Sequence, residues 1–207
     1  MNTPYVKLSS DFESFCRTLK LFFKDSRMQT LRPEVARRLM SEMKKLQKAE
    51  LGGITTHFNP DNLTDIHATL EGPENTPFEG GTFEIKLEVG DEFPQKPPKG
   101  YFLTKIFHPN VHPDTGAICV STLSSDWTES MGLDHLLLTI RCLLIEPNPE
   151  SALNEEAGRL LLENYDDYNS RAKLMTQVHA MKAKPAAAGA PAKKASATQA
   201  KKRLKRL

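Results

Sequence analysis

The chain has 207 residues, of which 39% are hydrophobic and 26% are charged, so we expect a soluble intracellular protein with one globular domain and extensions. Its net charge of +2 conceals an uneven distribution of charge along the chain. Residues 182–207 contain nine Lys or Arg and no Asp or Glu. Residues 1–181 contain the other 19 of the 28 basic residues and all 26 acidic residues. An acidic body argues against nucleic-acid binding across the folded surface, and the apolar runs are too short to span a membrane.

The cysteines bear on the compartment and on metal binding. The chain has three, Cys16, Cys119 and Cys142, which are widely spaced and include no C-x-x-C pair. An odd, scattered set is not typical of a disulfide framework or a zinc ribbon. We therefore predict a reducing compartment and no metal site.

The first 30 residues form an extension whose role the sequence does not define, although apolar residues recur at helical spacing between positions 12 and 23. A clearer domain runs from residue 31 to residue 181. It begins with a predicted helix in which Pro33 suits the first turn and one face is apolar. A Gly-Gly pair at positions 52 and 53 marks the predicted end of this helix.

Three segments with alternating apolar and polar residues follow, and each is typical of a strand: "TDIHATLEG", "GTFEIKLEV" and "KGYFLT". In the second segment, we expect Phe83, Ile85 and Leu87 on the buried face and the charged residues between them on the wet face. Short connections between such strands indicate an antiparallel meander.

Helices dominate the rest of the domain. The segment "GLDHLLLTIRCLLIEPNPE" predicts a helix that Pro147 and Pro149 stop, and "SALNEEAGRLLLEN" and "YDDYNSRAKLMTQVHAMK" predict two more. A helix, a run of strands and then further helices indicate an α+β fold. Residues 182–207 are rich in Ala, Lys and Pro, which predicts a disordered basic tail, and the tail ends in a Leu-Lys-Arg-Leu motif.

The stretch "IFHPNVHPDTGAICV" leaves three interpretations of Cys119 open. Cys119 could bind a metal with His108, His112 and Asp114, although a proline follows each histidine and no second ligand cluster is visible. It could be a small buried residue, because "AICV" is apolar. It could also be a nucleophile toward an activated acyl group, with Asn110 as the donor to the oxyanion.

A longer set of motifs surrounds this stretch. The segments "GPENTPFEGGTFEIKL", "FPQKPPKGYFLTKIFHPN" and "PNPESALNEEA", with Trp127 between the last two, closely resemble the ubiquitin-conjugating enzymes, and the resemblance runs from about residue 32 to residue 180. Within that family, "ESALNEEAGRLLLENY" and the terminal "RL…RL" are similar to the S-type enzymes, which elongate lysine-eleven-linked ubiquitin chains for the anaphase-promoting complex. The resemblance implies a four-stranded antiparallel meander sheet with an N-terminal helix and C-terminal helices.

The resemblance implies a role for each matching residue of the site. Cys119 would accept the ubiquitin C-terminus from the activating enzyme as a thioester and pass it to a lysine amine. Asn110 would stabilise the oxyanion or support the loop, His108 would be structural, and Ser151 would occupy the gate position, a small or acidic residue beside the cysteine. No cofactor is implied, since the upstream activating enzyme uses the ATP.

The acceptor lysine and the bound ubiquitin also need contacts. A free lysine has a pKa near 10.4, so very little of it is deprotonated at pH 7. The resemblance places at Glu155 the glutamate that orients this lysine, with Glu156 as the less favoured neighbour, and from the residues alone either could be a solvated acid at a helix start. It also places Cys142 on the helix that packs against the donor ubiquitin, where a simple core position is an equal alternative.

The implied partners are ubiquitin, the activating enzyme and a multisubunit ligase, the anaphase-promoting complex, with a cytoplasmic and nuclear location and no membrane. The ligase would bind the last four residues of the tail, Leu204, Lys205, Arg206 and Leu207. Two alternatives stay open. One is a non-catalytic binding protein with the same fold, and the other is a tail that serves nuclear targeting or binds nucleic acid.

Two departures from the family pattern bear on the site. Eight residues, "VHPDTGAI", separate Asn110 from Cys119, which is one more than in most members, so we expect a lengthened loop and a less certain position for Asn110. Gln95 and the "TES" that follows Trp127 stand where many members carry an aromatic residue and Ser-Pro-Ala to bind RING ligases. Ordinary RING docking is therefore not expected.

Overall fold

The computed structural model describes residues 6–7, 32–58, 62–125 and 127–181. In this part of the chain a meander sheet is followed by helices, so the predicted α+β class is confirmed. The amphipathic segment between residues 12 and 23 and the tail at residues 182–207 lie outside the described residues.

One antiparallel sheet contains all the described strands, in chain order, each beside its neighbour in sequence. The strands are β1 (Val6–Lys7), β2 (Ile54–Phe58), β3 (Asp65–Glu71), β4 (Thr82–Glu88) and β5 (Lys99–Phe102). The predicted four-stranded meander is thus confirmed as β2–β5. The structure adds β1 at the edge of the sheet, where the N-terminal extension pairs with β2.

The inner face of the sheet carries the core. In β4, Phe83, Ile85 and Leu87 are all fully buried, as the alternation predicts. Helix α1 (Pro33–Lys48) begins with its proline in the first turn and contributes a buried stripe to the same core. The helix ends at Lys48, before the predicted glycine pair, because Ala49 already has an extended backbone (φ −79°, ψ 125°).

The later helices surround the site region. They are α2 (Val120–Ser124), α3 (Leu133–Ile145), a 3-10 turn (Pro149–Ser151), α4 (Glu155–Glu163) and α5 (Tyr165–His179). Helix α3 ends just before Pro147, since the residue that precedes a proline avoids helical backbone angles. The side chains of Asn154 and Asn164 cap the N-termini of α4 and α5. The three predicted helices are confirmed, whereas α2 and the 3-10 turn are too short to show a periodic pattern.

A buried carboxylate fixes the start of α3. Glu42, on α1, is fully buried, and its Oε2 accepts a hydrogen bond from the Leu133 N–H at 3.2 Å. Its Oε1 is paired with Arg38 at 2.9 Å and with Lys45 at 3.1 Å. A Cβ at Gly132 would lie 2.2 Å from Oε2, so a larger residue there would require the Glu42 carboxylate to move. Among the described residues, no helix has both the length and the apolar character that a membrane crossing needs.

Candidate active site

The loop after β5 folds back as a short hairpin, residues 108–119, which we call the HPN hairpin. Val111 and Ile118 form an antiparallel bridge, and the Cys119 N–H donates to the Asn110 carbonyl at 3.0 Å. The HPN hairpin therefore brings Asn110 and Cys119 side by side at its base. The longer spacing between them does not separate their backbones.

The tip of the HPN hairpin closes as a turn that accommodates the eight residues between Asn110 and Cys119. The Gly116 N–H donates to the His112 carbonyl at 2.9 Å, and Nδ1 of His112 accepts from the N–H groups of Asp114 and Thr115 at 3.3 and 3.4 Å. Gly116 has φ +70°, and a Cβ there would lie 2.0 Å from the Phe102 carbonyl oxygen, so only glycine fits. His112 thus serves as a turn-capping residue.

His108 holds the HPN hairpin against α3. The ring is fully buried, its Nε2–H donates to the Leu143 carbonyl at 2.8 Å, and its Nδ1 accepts from the Asn110 N–H at 3.1 Å. Burial lowers the pKa of His108 to about 4, although the hydrogen bond to Leu143 opposes part of that shift. The ring is therefore neutral near pH 7, and both of its nitrogens are bonded to main-chain groups.

Asn110 joins the HPN hairpin to the segment at residues 147–151, which we call the PNPES turn. Its side chain is fully buried, and Nδ2 donates to the carbonyls of Asn148 (2.6 Å) and Ser151 (3.1 Å), while Oδ1 accepts from the Asn148 N–H at 2.9 Å. Both amide hydrogens are thus used by the PNPES turn. This geometry is that of loop support, and donation to an oxyanion would require Nδ2 to leave one of these carbonyls.

Cys119 lies at the N-terminal boundary of α2 and is 9% exposed, beside the 63%-exposed Val120. Its sulfur lies 3.0 Å from the Ser121 hydroxyl oxygen. Burial alone would raise the pKa of the thiol, but hydrogen bonds from the Ser121 hydroxyl and from the N–H groups of Ser121 and Thr122 outweigh it, so the pKa is lowered. These donors stabilise the thiolate, which is the reactive form.

Ser121 is the residue that the sequence did not identify. Its hydroxyl contacts the Cys119 sulfur on one side and lies 3.4 Å from the Ser151 hydroxyl on the other. Ser121 therefore lies between Cys119 and Ser151, and the gate role of Ser151 stays a prediction. The sequence does show a serine two positions after the cysteine. That spacing indicates a contact between the two side chains only if a helix is known to start at this point.

The two candidate glutamates have different surroundings at the start of α4, four and five residues after Ser151. Both are exposed. Glu156 forms an ion pair with Arg171 on α5. The carboxylate of Glu155 has no hydrogen bond or ion pair with any other residue that the structure describes. Of the two carboxylates, Glu155 is thus the one that can bind an incoming cation.

Cys142 is exposed on α3, so the alternative that places it in the core is wrong. Leu138 (39% exposed) and Ile145 (56% exposed) lie on the same helix at neighbouring turns. Together they give α3 a partly apolar outer face. The four tail residues from Leu204 to Leu207 lie outside the described residues.

The metal interpretation of Cys119 has no support in the structure. Both ring nitrogens of His108 are used by main-chain groups, and Nδ1 of His112 accepts from the hairpin tip. Within residues 6–7, 32–58, 62–125 and 127–181, no three His, Cys, Asp or Glu side chains are grouped so that they could hold a metal ion.

Several known proteins resemble this chain in sequence or in fold. The family model described as ubiquitin-conjugating enzyme matches residues 38–176. A Branchiostoma floridae protein named ubiquitin-conjugating enzyme E2 S is 54% identical over 168 residues, which cover 81% of this chain and 77% of that protein. The Xenopus laevis ubiquitin-conjugating enzyme E2 S-A is 56% identical over 155 residues, which cover 75% of this chain and 69% of that protein. The solved E2 domain of a Toxoplasma gondii ubiquitin-conjugating enzyme has a TM-score of 0.63 and 31% identity, covering 70% of this chain and 98% of that one.

Acid should destabilise the fold through His108. The folded ring has a pKa of about 4 and the unfolded ring one of 6.5, so below pH 6.5 the unfolded chain binds a proton that the folded chain does not. Above pH 6.5, neutral His108 therefore makes its full contribution to the free energy of unfolding. At pH 5 the free energy of unfolding is lower by about 2 kcal/mol. Urea unfolding at pH 7.5 and pH 5 should show His108→Gln to be less stable at pH 7.5 and to lose less stability on acidification. An equal loss in both proteins would contradict this account.

Proposed function

The chain belongs to the ubiquitin-conjugating enzyme family, and we propose that Cys119 is the residue on which it carries ubiquitin. Members of this family are ubiquitin transferases that act through a thioester and work with ubiquitin, an activating enzyme and ligases. The observation that carries the assignment is the set of donors around the Cys119 sulfur, at the base of the HPN hairpin. The other described cysteine, Cys142, is exposed on α3.

The proposed reaction has two acyl transfers. The Cys119 thiolate attacks the ubiquitin C-terminal thioester on the activating enzyme and displaces that enzyme's cysteine as a thiolate. A neutral lysine amine then attacks the new thioester, the carbon–sulfur bond breaks and Cys119 leaves as a thiolate. The nitrogen gives its extra proton to solvent, which leaves the isopeptide bond. The donors that lower the pKa of Cys119 favour both its attack and its departure, because each involves the thiolate.

We assign the orientation of the acceptor lysine to Glu155. Its carboxylate is exposed and has no partner among the described residues, whereas that of Glu156 is paired with Arg171. A carboxylate at this position can hold the ammonium of the acceptor lysine until the ammonium gives a proton to solvent and becomes the nucleophilic amine. Asn154 caps α4 immediately before Glu155, so the main chain of Glu155 is held at a fixed point after the PNPES turn.

The finer function that we propose is elongation of lysine-eleven-linked chains with the anaphase-promoting complex, in the cytoplasm and nucleus. It is supported by similarity to proteins named E2 S over 75–81% of this chain and by the terminal motif from Leu204 to Leu207. Two leucines at positions i and i+3, with two cations between them, suit a groove that is both apolar and acidic. The 22 residues from position 182 to position 203 connect this motif to the catalytic domain, so a ligase that binds the motif would keep the domain close to itself.

The first test is thioester formation. With activating enzyme, ATP and ubiquitin, the full chain should form an adduct that a reducing agent cleaves on a gel. Cys119→Ala should abolish the adduct because it removes the nucleophile, and Cys16→Ala is the matched control that should retain it. A thiol-sensitive adduct that survives Cys119→Ala would refute the assignment.

A second test separates Glu155 from the tail. Chain building is measured with and without the ligase for wild type, Glu155→Ala and a chain that stops before Leu204, and mass spectrometry identifies the linkages. Glu155→Ala should slow chain building about tenfold or more under both conditions, since acid–base positioning acts on the chemical step. The truncation should slow only the ligase-dependent reaction. The roles are wrong if Glu155→Ala leaves both rates intact or if the truncation lowers the ligase-free rate.

A further inference from the structure

The hydroxyl of Ser121 lies between two other groups of the site. It is 3.0 Å from the Cys119 sulfur and 3.4 Å from the Ser151 hydroxyl. The first distance is a short contact for sulfur, and the second is longer than an ordinary O–H···O hydrogen bond. When Cys119 is a thiolate it has no hydrogen to donate, so the Ser121 hydroxyl donates to the sulfur, and Ser151 is a second acceptor within reach.

We propose that Ser121 is a positioning residue that holds the Cys119 thiolate before loading and binds Ser151 once the sulfur is acylated. The inference rests on the proposed role of Cys119 as the ubiquitin carrier. The Ser121 hydrogen is donated throughout and is never transferred. Only its acceptor changes.

The change of acceptor follows from the chemistry of sulfur. A thiolate carries a full negative charge, and hydrogen bonds to charged acceptors are shorter and stronger than neutral ones. A thioester sulfur is neutral and accepts poorly, so loading removes the preferred partner of Ser121. A movement of about 0.5 Å would then bring its hydroxyl to normal bonding distance from Ser151.

Ser151 links this change to the rest of the site. Its carbonyl accepts from Nδ2 of Asn110 at 3.1 Å, and the N–H groups of Leu153 and Asn154 donate to the Pro109 carbonyl at 2.8 and 3.0 Å. The PNPES turn and the start of α4 are thus held by the HPN hairpin on one side. In the loaded enzyme, a hydrogen bond from Ser121 would hold the PNPES turn from the cysteine side as well. The path by which an acceptor lysine reaches Glu155 would then be fixed at the stage when that lysine is needed.

The first measurement uses the unloaded full chain. The rate of alkylation of Cys119 by iodoacetamide is followed against pH in a Cys16→Ala/Cys142→Ala background. In Ser121→Ala the profile should move to higher pH, and the rate at pH 7 should fall about threefold, because the thiolate fraction drops about tenfold while the more basic thiolate is a better nucleophile. Ser121→Thr, which keeps a hydroxyl, should restore the profile.

Ser124→Ala is the matched control, since Ser124 is on the same short helix and its hydroxyl contacts the Ser121 carbonyl instead of the sulfur. It should leave the profile unchanged. Superimposable profiles for Ser121→Ala and wild type would overturn the first half of the proposal.

The second measurement uses the loaded chain. Discharge of ubiquitin from Cys119 to free lysine is timed for Ser121→Ala, Ser151→Ala and the double variant. Each single change should slow discharge, and the double variant should be within about twofold of the slower single variant, because both changes break one contact. Fully multiplied effects would overturn the relay. A wild-type chain that forms no thioester would instead refute the proposed function, while the alkylation profile would still decide the contact of Ser121 with the sulfur.

Discussion

The carboxamide of Asn110 is the contact on which the rest of the site depends. A buried amide is costly unless its hydrogen-bonding groups are satisfied, and here both hydrogens and the oxygen are used by the main chain of the PNPES turn. The HPN hairpin and this turn must therefore fold together. His108 adds a hydrogen bond from the same hairpin to α3. The HPN hairpin, the PNPES turn and α3 therefore form one rigid support.

The reactive groups stand at the edges of this support. Cys119 lies at the base of the HPN hairpin beside Asn110, and Ser151 is the last residue of the PNPES turn. The start of α4 is hydrogen-bonded to the Pro109 carbonyl. Ser121 then spans the gap between the cysteine and the turn. The site thus has rigid parts on both sides and, between them, one hydroxyl that can change its partner. This arrangement suits an enzyme that must accept an acyl group and then release it to a different nucleophile.

The sequence predicts those features that depend on local periodicity or on a strong motif. The alternation in β4 and the apolar stripe of α1 each reflect one buried face, and both predictions are confirmed. Strand β2, "ITTHF", is harder to recognise because three polar residues separate its apolar ends, and α2 is shorter than two helical turns. The direction of the Asn110 side chain could not be predicted, because its partners are 38 and 41 residues away. Cys142 could be core or surface until the helix packing was known.

The stability of Asn110→Ala tests most directly whether this residue supports the loops. If it does, the substitution leaves buried main-chain groups of the PNPES turn unpaired, so urea unfolding should show a loss of about 2–4 kcal/mol. Hydrogen exchange at the Asn148 N–H should also become faster, since that group loses its acceptor. Wild-type stability and exchange together with a defect confined to ubiquitin discharge would contradict the account and assign Asn110 to the oxyanion.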